Sequence, residues 1–154
     1  MKFYIAHPFP KRAEVREIQK ELEALGIEIL NPFYTNKRDD VRKLDKMGIK
    51  GYADRKPETW MLEPRQYNNL VKRDLKWIDE CDGLIVYSPN VKHGWGTGME
   101  AFYAWKNGKK VFMLVHHRWT NHPWLLCITN GDVYDTLPKL KEAIIYELNK
   151  NGEI

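Results

Sequence analysis

Glu100 is the side chain that the sequence sets up best for chemistry. It closes the segment Gly96-Thr97-Gly98-Met99-Glu100, which follows the apolar run Gly83-Leu84-Ile85-Val86-Tyr87 after a short loop. A buried strand, a loop and a glycine-rich turn opening a helix are how α/β proteins build ligand sites at the carboxyl ends of their strands. The spacing puts Glu100 in the first turn of the following helix, where the positive field of the helix N-terminus favours the ionised, nucleophilic form. The same residues also read as a capping box from Thr97 to Glu100, in which the glutamate only ties down the helix start. Gly96 and Gly98 permit a tight turn and also let a ligand approach the backbone closely.

Other polar residues cluster around the same kind of loop. Asn90, His93 and Trp95 lie between the strand and the turn, either as pocket residues or as plain loop residues. His7, Lys11 and Arg12 surround the start of the first helix, where anions bind readily. Lys11 and Arg12 read equally as solvated helix charges. The histidines His116, His117 and His122 match no zinc spacing, and no metal is expected.

The elements that must carry these residues follow from periodicity. Phe3–Ala6 is a short apolar strand. Residues 11–25 place Val15, Ile18, Leu22 and Leu25 on one helical face, and Gly26 ends that helix. Ile27–Leu30 is a second strand, broken by Asn31-Pro32. Residues 33–64 are charged and irregular and read as a flap or insertion, with Trp60-Met61-Leu62 folding back onto the domain. Residues 65–80 return to helical spacing, and Gly83–Tyr87 is a strand buried on both faces. Thr97–Lys106 is a helix, Lys110–Val115 a strand, and residues 137–149 the last helix. A fifth strand falls either at Leu126–Thr129 or at Val133–Tyr134. Alternating strands and helices predict one domain over residues 1–154, a doubly wound α/β sandwich with four or five parallel strands.

Bulk properties narrow the function class. The 154 residues are 43% hydrophobic and 30% charged, as in soluble globular proteins. No apolar run approaches a membrane span, and the N-terminus enters a strand without a signal-peptide layout. Cys81 and Cys127 form no metal or redox motif, and a cytoplasmic, reduced protein is expected. The net charge of +4 suits anionic ligands, but the basic residues scatter over helices and no nucleic-acid motif is present. Several of the six tryptophans serve the core or a subunit contact, and one or two are available to stack on a planar ligand.

Several stretches together resemble the nucleoside 2-deoxyribosyltransferase family over most of the chain. They are Phe3-Tyr4-Ile5-Ala6-His7-Pro8-Phe9, the run from Tyr67-Asn68-Asn69 through Asp74 to Tyr87, Gly96 through Ala104, and Gly108-Lys109-Lys110-Val111. The resemblance implies a flavodoxin-like fold, cleavage of an N-glycosidic bond in 2′-deoxynucleosides, and transfer of the sugar to another base through a glycosyl ester on Glu100. It implies no cofactor, and a homo-oligomer whose sites a neighbouring subunit completes. By the same resemblance Tyr4 orients Glu100, and Asp74 relays a proton to the leaving base. His7, Pro8, Phe9, Asn90, His93, Trp95, Gly96 and Gly98 then bind substrate. The related 2′-deoxynucleoside 5′-monophosphate N-glycosidases place a phosphate near the first loop, where Lys11 and Arg12 stand; hydrolysis of nucleoside monophosphates is therefore the alternative reaction. A non-catalytic nucleotide-binding module is the alternative of another class. Two positions depart from the pattern. Gly94 stands where transferases of the family often carry an aspartate six residues before the nucleophile, leaving either Asn90 or His93 to substitute or a different substrate to be taken, and Asn130 is the available replacement where the family's partner-subunit asparagine and methionine have no clean counterparts.

Overall fold

The computed structural model describes residues 1–35, 38–39, 64–92 and 94–152. The chain runs β1 (Lys2–Ala6), α1 (Arg12–Glu23), β2 (Glu28–Leu30), β3 (Tyr34–Thr35) and β4 (Arg38–Asp39). It continues with α2 (Pro64–Asp79), β5 (Gly83–Ser88), α3 (Trp95–Lys106), β6 (Lys110–Val115), α4 (Pro123–Thr129), β7 (Val133–Tyr134) and α5 (Leu137–Lys150). Five strands form one parallel sheet in the order β2-β1-β5-β6-β7, while β3 and β4 make a small antiparallel hairpin. Among the sheet's own strands this is the order 2-1-3-4-5, the flavodoxin-like arrangement.

Strand alternation divides the interior into two layers. Phe3 and Ile5, Ile85 and Tyr87, and Phe112 and Leu114 face α1 and α5, where Val15, Leu22, Leu140, Ile144 and Leu148 meet them. Tyr4 and Ala6, Leu84 and Val86, and Val111, Met113 and Val115 face the other way, onto Ile78, Ala101 and Ala104. The paired register Tyr4 to Leu84 and Ile85 to Phe112 keeps each set on its own face. Asp82 ties the two central strands together at their start, where its Oδ2 accepts from the Lys2 N–H at 2.7 Å. Gly83 is required by packing: a Cβ there would lie 2.6 Å from the Phe3 ring and 2.8 Å from the Lys110 carbonyl oxygen.

Of the two places open to the fifth strand, Val133–Tyr134 is the one that forms it, paired with Met113 and Leu114, and Leu126–Thr129 is helical. Pro123 starts that helix at a position where its missing N–H is no loss, and Asn130 ends it in the left-handed conformation at φ 55°. The helix α3 begins at Trp95, two residues before Thr97. Most of the 33–64 flap, including Trp60-Met61-Leu62, lies outside the described residues, as does His93. Among the described residues no helix is long and apolar enough to cross a membrane.

Candidate active site

The strand order reverses between β1 and β5, so their connections leave in opposite directions and open a crevice at the carboxyl ends. Three side chains converge on the helical layer beside it. Tyr4 is fully buried in β1, and its Oη donates to Glu100 Oε1 at 2.7 Å. Glu100 reaches this position because Ala101 and Ala104 are fully buried and, being small, let α3 lie close on the sheet. Asp74 sits one helical turn before Ile78 on the same stripe of α2, and Ile78 is fully buried in the layer that holds Tyr4.

The electrostatics differ from the sequence expectation. Glu100 lies in the second turn of α3; Gly94 is the N-cap, and no side chain caps the helix, so the Thr97–Glu100 capping box is not formed. Burial, rather than the helix terminus, dominates the glutamate and pushes its pKa up to about 8. The Tyr4 hydrogen bond pulls it down, the negative charge of Asp74 pushes it up, and Arg73 pulls it down. Burial also raises the Asp74 pKa, against the opposing charge and hydrogen bonds of Arg73. Burial and the charges of Glu100 and Asp74 hold the Tyr4 phenol well above its usual range, so it stays a proton donor to the glutamate. Burial thus raises both carboxyls, and the charge of Asp74 adds to the shift on Glu100.

Arg73 was not singled out by sequence. Its Nε and Nη2 both donate to Asp74 Oδ1, at 3.0 and 2.8 Å. Nη2 also donates to the Pro32 carbonyl at 3.2 Å, and the guanidinium lies 4.6 Å from the Trp77 ring centroid. The signal was available, since an arginine four residues before a tryptophan on a helix stacks on it readily.

The remaining candidates fall into distinct environments. His7 is buried between the Pro8 carbonyl and Asn31 Oδ1, each 3.1 Å from a ring nitrogen, and Asn31 in turn donates to Gln19. Phe9 packs edge-on against Phe33 at 5.2 Å. Lys11 pairs with Glu14 at 2.8 Å, and Arg12 stacks on Phe9 while donating to its carbonyl. Asn90 and Trp95 are exposed, Pro8 is partly buried, and Asn130 is an exposed helix cap. Gly96 and Gly98 do not form a turn: they lie inside α3, and a Cβ on either would meet nothing within 4 Å. Glycine inside a helix is about 1 kcal/mol less favourable than alanine, so here Gly96 and Gly98 leave two different sides of α3 bare at a cost to the helix.

A cavity of about 240 Å³ lies on the other flank of the α3 start. Thr97 and Gly98 line it, but Tyr4, Asp74 and Glu100 do not.

No protein-family model matches the chain, and no curated protein matches it by sequence. Solved structures match it along nearly its whole length. A 2-deoxyribosyltransferase from Bacillus psychrosaccharolyticus is 18% identical, with a TM-score of 0.59 over 92% of this chain and 90% of its own. A CMP N-glycosidase from Clostridium botulinum is 16% identical, with a TM-score of 0.52 over 98% and 99%. A conserved protein from Enterococcus faecalis is 13% identical, with a TM-score of 0.56 over 98% of both chains. The chain shares their fold.

Proposed function

We propose that the chain is an enzyme of the nucleoside 2-deoxyribosyltransferase type, which breaks the N-glycosidic bond of a 2′-deoxynucleoside and passes the sugar to another base. The observation that carries this reading is the Tyr4–Glu100 hydrogen bond of 2.7 Å beside the strand switch, with Asp74 close enough to raise the glutamate's pKa. The shared fold with a 2-deoxyribosyltransferase and a CMP N-glycosidase supports the same bond class. In the forward step ionised Glu100 attacks C1′ and forms an ester. The C1′–N bond breaks, its electron pair leaves with the base, and the base takes a proton from Asp74. A second base then attacks C1′, the ester bond breaks, Glu100 leaves as a carboxylate, and the incoming base returns a proton to Asp74. Gly96, four residues before Glu100 on the same stripe of α3, gives the sugar room to approach.

Incubation with deoxyinosine and free adenine tests the reading. New deoxyadenosine on chromatography supports it; a panel of deoxynucleosides and nucleotides left intact overturns it.

Hydrolysis of nucleoside 5′-monophosphates is the second reading, favoured by the CMP N-glycosidase of the same fold. Lys11 and Arg12 flank the first loop, Lys11 in an exposed pair that a phosphate can displace. Under this reading, Lys11→Ala with Arg12→Ala raises KM for 5′-monophosphates about tenfold and leaves KM for nucleosides unchanged. Equal effects on both place the phosphate elsewhere.

We also propose that the protein is a homo-oligomer assembled through α3. Trp95, Met99 and Phe102 share one face of that helix and are 87%, 66% and 45% exposed. Trp124 and Leu126 of α4 add further exposed apolar surface. Aromatic faces of this kind mark interaction sites. Phe102→Glu is expected to convert the oligomer to monomer in sedimentation velocity; a wild-type monomer contradicts the proposal.

A further inference from the structure

A second tyrosine–glutamate pair stands on the opposite face of the two strands that flank the crevice. Tyr4 packs in the layer under α3, whereas Tyr87 packs in the layer under α1. Tyr87 is 6% exposed and is the residue before the last of β5. Its Oη donates to Oε1 of Glu14, in the first turn of α1. Lys11 Nζ donates to the other oxygen, Oε2, at 2.8 Å. Glu14 is therefore held from two sides, by a buried phenol and by the cation at the helix start. The bonds from Lys11 and Tyr87 keep its carboxyl below the usual carboxylate range, so it is charged at neutral pH.

This arrangement occupies the donors that an anionic substrate would need. Lys11 and Arg12 close the connection that leaves the carboxyl end of β1. Lys11 is neutralised by Glu14. Arg12 is engaged as well: its guanidinium lies 4.1 Å from the Phe9 ring centroid, and its Nη1 donates to the Phe9 carbonyl at 3.2 Å. An uncharged 5′-hydroxyl asks nothing of these groups. A 5′-phosphate brings about two negative charges and meets an ionised carboxylate already on the lysine. If the two anions share Lys11, they repel each other at close range. If Glu14 swings away instead, it gives up both of its bonds. The buried Tyr87 hydroxyl then loses its partner, and an unmet buried donor opposes the exchange.

We propose that Glu14, anchored by Tyr87, is a specificity-determining residue that makes the crevice accept an uncharged 5′ end and reject a 5′-monophosphate. The inference rests on the reading of the crevice as a nucleoside site, and within that reading it selects nucleosides over nucleotides.

Calorimetric titration with deoxyadenosine and with deoxyadenosine 5′-monophosphate tests it, in the full chain carrying Glu100→Gln so that turnover does not consume the ligand. Deoxyadenosine is expected to bind about tenfold more tightly than its monophosphate. Glu14→Gln keeps an acceptor for Tyr87 and removes only the charge. It is expected to tighten the monophosphate about tenfold and to leave deoxyadenosine unchanged. Adding Lys11→Ala to Glu14→Gln cancels that gain, because the lysine is the cation set free. Tyr87→Phe loosens Glu14 and gives a smaller gain for the monophosphate alone, which keeps the test open should Glu14→Gln not fold. Four results overturn the proposal: equal binding of the two ligands before Glu14 is changed; a gain on Glu14→Gln shared by both; a gain that survives Lys11→Ala; or no binding of either. Binding is read without turnover, so the two readings fail separately. Selective binding by a wild-type protein that transfers no sugar keeps this inference and removes the reaction; transfer without selectivity does the reverse.

Discussion

Glu100→Gln is expected to abolish sugar transfer, lowering kcat by about 10⁴- to 10⁶-fold, the scale of removing a covalent nucleophile. Glutamine keeps the size and the acceptor oxygen for Tyr4, so the loss reports the missing nucleophile rather than a collapsed pocket. The same side chain sets two pH dependences in the wild type. The nucleophile must be ionised, and burial pushes its pKa up to about 8, so with 7-methyl-2′-deoxyguanosine, whose departing base needs no proton from Asp74, kcat/KM rises with pH along a limb centred near that value. Stability runs the other way. A carboxyl whose folded pKa lies above its ordinary value of 4.5 favours the folded state in its protonated form. That contribution is complete below pH about 4.5 and is lost as pH rises through about 8. Glu100→Gln stays neutral throughout, so its Tm relative to wild type should climb between those limits. Retained turnover, or a Tm difference that does not change with pH, contradicts the assignment.

The parts of this site legible in sequence are those fixed by period. The apolar run Phe3–Ala6 gave the strand that carries Tyr4, while its pairing with Glu100 came from the resemblance; the spacing of Gly83–Tyr87 and Gly96–Glu100 put a carboxylate on the helix that follows the central strand. The helix start was not legible by that route. Thr97 looks like an N-cap from local preference, yet α3 begins at Trp95, and the cap falls to Gly94. That shift of two residues moved Glu100 out of the first turn and replaced a predicted field effect with burial. Leu126–Thr129 stayed open as an alternative to Val133–Tyr134 for a related reason: a short apolar run fits either a strand or a buried helix, and Pro123 with Asn130 decided it. His7 reads as a substrate-binding residue at the start of the first helix because nothing local announces Asn31, which is 24 positions away and holds it. Arg73 escaped because its importance lies in contacts to the Pro32 carbonyl and to the neighbouring aspartate, and sequence spacing does not show contacts.

Asp74→Asn carries the second large effect, and Arg73 makes it decisive. If Asp74 protonates the departing base, the asparagine variant loses about 10²- to 10⁴-fold in kcat on deoxyadenosine or deoxyinosine. The loss should shrink to severalfold on 7-methyl-2′-deoxyguanosine, whose base already carries a positive charge and leaves without further protonation. Arg73 engages only Oδ1, with two donors, and is itself anchored at Pro32 and stacked on Trp77. The fork therefore holds the carboxyl at one rotation and leaves Oδ2 as the edge that carries the proton. Arg73→Gln removes that hold and leaves a partly buried acid without its cation, so it should show the same dependence on leaving group as Asp74→Asn. Because the two side chains act as one unit, the double variant is expected to be little worse than Asp74→Asn alone. Steady-state kinetics of the three variants on both substrates measure this. An equal loss on the methylated and unmethylated nucleosides assigns Asp74 to holding the sugar, and strict additivity detaches Arg73 from it.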